Sequence, residues 1–131
     1  MKTLRESIIQ KFGGDFVADE RTFVMGIDIR FTTHFAERLR NRVVLEACTG
    51  AGFSTMALPR TARHVFTVEL DPVCQAQASA NLRRSGLSER VTLVQGDVME
   101  VELLEVNAAF LDPDWPVTSV PPSTGLSYTR T

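Results

Sequence analysis

Glu46, Gly50, Gly52, Glu69, Asp97 and Asp112 are the residues of this 131-residue chain whose types and spacing point to chemistry. Each ends, or lies just beyond, an apolar run of β type, the four runs covering residues 43–47, 64–70, 91–95 and 107–111. In an open parallel sheet ligands bind at the carboxyl ends of the strands, so four such ends gather their polar groups around one place. The glycines of Gly50-Ala51-Gly52 adopt backbone angles closed to other residues and let a ligand approach the main chain, beside the unpaired N–H groups of a following helix. Glu69 follows them by roughly 20 residues, the spacing at which an acidic residue accepts from ribose hydroxyls. Asp97 can accept from an exocyclic adenine amine, with Val98 flanking the ring. These are the needs of a nucleoside cofactor. The dinucleotide fingerprint itself is incomplete, because Thr55 stands where its third glycine belongs, and this argues against an NAD-binding domain.

Helical spacers separate the four runs, which makes the pattern βαβαβ. The runs lack alternation, as expected of a sheet covered by helices. The spacer after the second run is the best marked: Asp71 is placed to cap it, Pro72 takes its first position and Gly86 lies just past its end. Val73, Ala76, Ala80 and Leu82 are expected on its inner face. Upstream, Leu4, Ile8 and Ile9 predict a short amphipathic helix that stops before Gly13-Gly14, and Thr32 or Thr33 is expected to cap a second helix running to about Arg40. Asp15 to Ile29 reads as irregular between them. The fold class is therefore α/β, a doubly wound, Rossmann-like, mostly parallel sheet. It divides into an N-terminal helical extension over 1–41, a cofactor-binding core over 42–116 and an irregular tail over 117–131. A doubly wound sheet normally adds strands beyond the fourth, so the sequence reads as a truncated or gapped piece of a longer protein.

Composition sets outer limits. Hydrophobic residues make up 44%, enough for one core and too many for disorder. The net charge of −2 advertises no global nucleic-acid field, while local patches such as Arg38, Arg40 and Arg42, or Arg83, Arg84 and Arg90, are available for one. Cys48 and Cys74 form no CxxC and, with His34 and His64, lack the close pairing of a zinc site, so no metal is expected. No signal peptide or membrane-spanning run is evident, and a cytoplasmic location is expected.

Taken together these motifs, in this order over residues 42–116, resemble the class I S-adenosylmethionine-dependent methyltransferases. The segments Asp19-Glu20-Arg21-Thr22-Phe23, Phe31-Thr32-Thr33-His34-Phe35-Ala36-Glu37, Val68-Glu69-Leu70-Asp71-Pro72 and Leu111-Asp112-Pro113-Asp114-Trp115 further resemble bacterial relatives of trimethylguanosine synthase, the RNA cap guanine-N2 methyltransferases. The resemblance implies that S-adenosylmethionine is held by Glu46, Ala47, Cys48, Gly50 and Gly52 at the first strand end. Glu69 and Leu70 would hold it at the second, Asp97 and Val98 at the third and Asp112 at the fourth. It also implies RNA as partner and Asp112, Pro113 and Trp115 as the residues that act on the methyl acceptor. A purine amine is a poor nucleophile, its lone pair being conjugated with the ring. It needs orientation rather than deprotonation: Asp112 and the Pro113 carbonyl can accept its two N–H bonds while Trp115 stacks on the base, a contact worth about 1–3 kcal/mol. Alignment then supplies most of the help. The chain departs from the family pattern at Asp114, where a second proline is usual; a carboxylate there repels phosphate and fits a cationic or amine-bearing substrate.

Plainer readings stand beside these. Gly50 and Gly52 also fit an ordinary strand-to-helix turn, Asp97 and Asp112 fit turn residues, and Trp115 fits an aromatic cover on an open sheet edge. Asp71 is read as a cap, Cys48 as a small apolar neighbour of the loop, and His34 as a surface or capping group. Most of Phe12, Phe16, Phe23, Phe31 and Phe35 are expected to pack in the core rather than line a pocket. Functional alternatives are a small-molecule or protein methyltransferase, or a non-catalytic S-adenosylmethionine-binding module.

Overall fold

The computed structural model describes residues 1–102 and 105–113. Three helices open the chain. Helix α1, Leu4–Phe12, starts in a capping box: the Glu6 amide donates to the Thr3 hydroxyl, and the Thr3 amide donates to the Glu6 carboxylate. Gly13, at φ 78°, ends it. A second capping box, between Asp19 and Thr22, starts α2, Glu20–Met25. This helix lies inside the stretch expected to be irregular. Six residues are too few for a hydrophobic period to register, and the cap is its sequence signal. Helix α3, Ile29–Arg38, is capped four residues before Thr32, the nearer of the expected threonines: the Asp28 side chain accepts from the Arg30 amide, and Thr32 is buried within the helix.

Among the described residues four strands follow, β1 (Val43–Ala47), β2 (His64–Glu69), β3 (Val91–Gln95) and β4 (Ala108–Leu111), all parallel and ordered β3-β2-β1-β4. Between β1 and β2 run α4, Phe53–Ala57, and a 3-10 turn over Leu58–Arg60; between β2 and β3 runs α5, Pro72–Ser85. Asp71 caps α5 and Gly86 closes it, as the sequence predicts. Its inner face differs from expectation. Cys74, Ala78, Asn81 and Leu82 are buried, whereas Val73 and Ala76 face solvent. The strand order reverses between β1 and β4, and a crevice opens at their carboxyl ends.

Val44, Val65, Leu58, Ala62 and Ala36 form the core beneath α3, with Phe35 and Phe110 against it. A second cluster joins Ile8 and Phe12 to Ala51, Phe53, Met56 and Leu82. There the Phe12 ring lies parallel to that of Phe53, centroids 3.5 Å apart, so the N-terminal extension is packed into the cofactor-loop side of the domain. Phe12 is expected in the core and is found there; Phe31 is exposed. Polar contacts fasten the same junction. Asn81, wholly buried on α5, accepts from the Val17 amide at 2.7 Å and donates to the carbonyls of Val17 and Ala51. Gln77 bonds Asp19 and Thr22.

Candidate active site

The loop after β1 is set by what lies under it. Glu46 is only 1% exposed, and its carboxylate accepts from the hydroxyls of Thr55 and of Thr67, the latter at 2.6 Å. Thr67 in turn meets the Thr49 hydroxyl at 2.6 Å. Burial pushes the Glu46 carboxyl up to about 7; the two hydroxyls oppose that rise, and the charges of Asp112 and Glu69 add to it. Thr55, the residue that displaces the third glycine of the dinucleotide fingerprint, is thus a tie between α4 and β1. Glu46 and the buried Ala47 lie below the loop, and neither forms part of the cavity wall.

Above them Cys48 turns the chain with φ 64°, its amide donating to the Val68 carbonyl at 3.0 Å. The two glycines then separate in role. Gly50, at φ 59°, has open space where a side chain would stand, and its amide donates to Glu69 at 2.8 Å. Gly52, at φ 88°, faces α5: a β-carbon there would lie 3.1 Å from the Ala78 β-carbon and 3.2 Å from its α-carbon. One glycine serves a cavity and the other serves helix packing.

At the end of β2, Glu69 holds two loops at once. One carboxylate oxygen takes the Gly50 amide and the other takes the Asp71 amide at 2.9 Å. Asp71 caps α5 through the Val73 amide and lies 3.5 Å from the Arg21 guanidinium. Burial, aided by Glu69 and Asp71, pushes the neighbouring Cys74 thiol up to about 12, so it is no nucleophile. Leu70 is 69% exposed beside them. After β3, Gly96 donates its amide to the Glu69 carbonyl, and one Asp97 oxygen accepts from the Met99 amide at 2.9 Å. Asp112 and Pro113 follow β4 and are half-buried.

These ends enclose a cavity of about 520 Å³, within the usual range for small-molecule sites. Of the predicted residues, Cys48, Gly50, Glu69, Leu70, Asp97, Val98, Asp112 and Pro113 form its wall; Glu46, Ala47 and Gly52 do not. Asp114 and Trp115 lie outside the described residues. Arg21, Thr22, Met25, Gly26 and Ile27 close another side, which the sequence reading did not assign. Gly26 is fixed there by packing, since a β-carbon would lie within 3 Å of both the Phe12 and Phe53 rings. The capping residues Asp19 and Asp28, which bracket the segment, were the available signal. Among the described residues no group of His, Cys, Asp or Glu is placed to hold a metal ion, and no helix is long and apolar enough to cross a membrane.

A nucleoside-sized cavity built on strand ends leaves the family to be settled by comparison. The family model described as RNA cap guanine-N2 methyltransferase matches residues 41–131. The chain belongs to that family. Its fold is that of the class I S-adenosylmethionine-dependent methyltransferases: the tRNA (m1A58) methyltransferase TrmI of Aquifex aeolicus superposes with a TM-score of 0.68 at 26% identity, over 84% of this chain and 43% of that one. Ribosomal RNA small subunit methyltransferase A of Corynebacterium efficiens is 33% identical over 95 residues, 71% of this chain and 31% of the relative. A catechol O-methyltransferase of Niastella koreensis is 33% identical over 98 residues, 66% of this chain and 44% of its own. This guanine-N2 methyltransferase family member thus spans under half the length of the curated relatives it matches. The residues present suit the cofactor of that class. Gly50 leaves space at the loop, Asp97 and Glu69 are acceptors, and Leu70, Val98 and Ile27 give apolar walls.

Proposed function

We propose that this chain binds S-adenosylmethionine in the cavity at the strand ends and directs its methyl group to an exocyclic amino nitrogen of a base in RNA, with guanine N2 the first candidate. The convergence of four strand ends on one cavity supports this reading most. Glu69, oriented by the two amides it already accepts, presents its remaining lone pairs to ribose hydroxyls. Asp97 is held by the Met99 amide and offers its other oxygen to the adenine amine, with Val98 and Leu70 against the ring. Cys48 to Gly50 shape the turn beside the methionine end. When bound, S-adenosylmethionine supplies a methyl group on a sulfonium whose leaving group departs neutral. The protein's task is therefore alignment. Asp112 and the Pro113 carbonyl accept the two N–H bonds of the acceptor amine and aim its lone pair, and as the N–CH3 bond forms one of those protons becomes acidic and leaves to solvent by way of Asp112; Trp115 is assigned to stack on the base.

A second reading, methylation of a small molecule, draws on the acidic wall of Glu69, Asp71, Asp97 and Asp112 and on the likeness to a catechol O-methyltransferase. Calorimetry with S-adenosylmethionine and its demethylated product, followed by labelled methyl transfer to total RNA and to a metabolite pool, separates the readings. Label in RNA recovered as N2-methylguanosine supports the first. Label confined to small molecules overturns it, and absence of binding by a folded protein overturns both.

A further inference from the structure

The opposite end of the sheet carries a feature that methyl transfer does not use. Arg42, Arg63 and Arg90 immediately precede β1, β2 and β3, three neighbouring strands. All three are exposed. The register Val43↔His64 sets Arg42 beside Arg63, whose amide donates to the Arg42 carbonyl at 2.8 Å. Strands lie roughly 5 Å apart, so two like charges stand on adjacent strands. The register Val65↔Val91 sets Arg90 beside His64, one residue out of step with Arg63 on the third strand, and its guanidinium donates to the Pro59 carbonyl, one residue from exposed Arg60. Among the described residues neither Arg42 nor Arg63 has a carboxylate partner. Of the nearby acids, Glu37 is bonded to Arg40. A helix C-terminus explains Arg38, at the end of α3, but not an arginine ahead of each of three successive strands. Like charges in register, as Arg42 and Arg63 are, destabilise a sheet, and guanidiniums bind phosphodiesters through charge-assisted hydrogen bonds.

Among the described residues the cavity wall does not supply that attraction. It holds Glu69, Asp71, Asp97 and Asp112 against one cation among the described residues, Arg21, which faces Asp71. Among the described residues, phosphate attraction has to come from outside that wall. We propose that the arginine edge Arg42–Arg63–Arg90 is a docking surface for the RNA phosphodiester backbone, anchoring the substrate about 15–20 Å from the cavity, the length of the strands between them. The inference rests on the RNA reading of the site, and its test keeps the two apart.

Fluorescence anisotropy with a labelled RNA hairpin between 50 and 200 mM salt reads the edge directly. Arg42→Gln/Arg63→Gln/Arg90→Gln is expected to weaken binding at least tenfold at 100 mM salt. Its slope of log affinity against log salt should drop by about 2 to 3, at roughly 0.7–0.9 per phosphate contact. A control with the same charge change, Lys2→Gln/Arg5→Gln/Arg30→Gln, should stay within about twofold of wild type, and calorimetric affinity for S-adenosylmethionine should be unchanged in both. Equal losses in the two variants, no loss in the edge variant, or no binding of RNA by the wild type overturns the proposal. Methylation of RNA with an edge variant that binds like wild type leaves the site reading standing and this one refuted; edge-dependent RNA binding without methyl transfer does the reverse.

Discussion

The two ends of the sheet are built by different means. At the amino ends most of the connections are main chain to main chain: the Arg63 amide bonds the Arg42 carbonyl, the Asn41 amide bonds Thr61, and the Asn107 amide bonds Val43, with the Asn107 side chain accepting from the Val43 amide and the Arg90 guanidinium donating to the Pro59 carbonyl beside them. At the carboxyl ends side chains position the backbone. Glu69 ties the glycine loop to the start of α5, and Glu46 ties α4 to β2 through Thr55 and Thr67. Side-chain identity at the cavity end therefore controls geometry, while at the arginine edge it controls charge. Substitutions should accordingly change shape and chemistry at one end, and at Arg42 and Arg63 of the other little but electrostatics.

The strongest break in that contrast is at Asp112. If it orients the acceptor amine, Asp112→Ala lowers kcat by about 10²–10³-fold, a barrier increase of about 3–4 kcal/mol, while affinity for S-adenosylmethionine moves far less. Single-turnover methyl transfer beside calorimetry reads the split. An equal loss in both would make Asp112 a cofactor ligand only.

Glu46 comes next, and its effect runs opposite to that of a surface carboxylate. Its folded-state value is raised from 4.5 to about 7, so between those pH values the native state keeps a proton that the unfolded chain has released. Its contribution to stability is therefore fully present below pH 4.5, declines as pH rises toward 7, and stays lost above. Glu46→Gln keeps an oxygen for the two threonines and removes this slope. Urea unfolding should find the variant about as stable as wild type at pH 4.5 and more stable by about 3 kcal/mol at pH 8. Identical pH profiles would show that Glu46 is ionised within the fold.

Gly52 and Gly50 give a smaller, paired effect. Gly52→Ala drives a β-carbon onto the backbone of Ala78 and should cost about 2 kcal/mol or more of stability. Gly50→Ala meets no neighbour, costs about 1 kcal/mol for its positive φ, and should weaken cofactor binding by more than it weakens the fold. Reversal of that order would remove the distinction between packing glycine and cavity glycine.

The main lines of the sheet were legible because β-branched runs, Asp71-Pro72 and Gly86 act locally. So were the polar strand ends, which the parallel topology brings to one crevice. Tertiary features were not. Whether Glu46 faces a ligand or a pair of threonines depends on Thr55 and Thr67, 9 and 21 residues away, and no local pattern encodes that meeting. The cavity wall from α2 was missed because six residues show no period. Asn81 was missed because a buried asparagine on an inner face looks, in sequence, like a solvated one. The distinct roles of Gly50 and Gly52 depend on where Ala78 lies, which the Gly-x-Gly spacing leaves open.

The smallest expected effect is also the one of unusual sign. Most substitutions destabilise a fold, yet Arg63→Gln should stabilise this one slightly, because it removes one of two like charges in register at β1 and β2. The gain is a few tenths of a kcal/mol at low ionic strength. It should vanish near 1 M salt, where charges are screened within about 3 Å. Asn41→Gln, one residue from Arg42 and without formal charge, supplies no such repulsion and should show no salt-dependent gain. Thermal unfolding of both variants across salt concentrations separates electrostatic relief from better packing: packing leaves a gain at 1 M salt, and charge does not. A salt-independent change at Arg63 would mean the edge is tuned for the fold, and the division between a shaping end and a charged end would lose its second half.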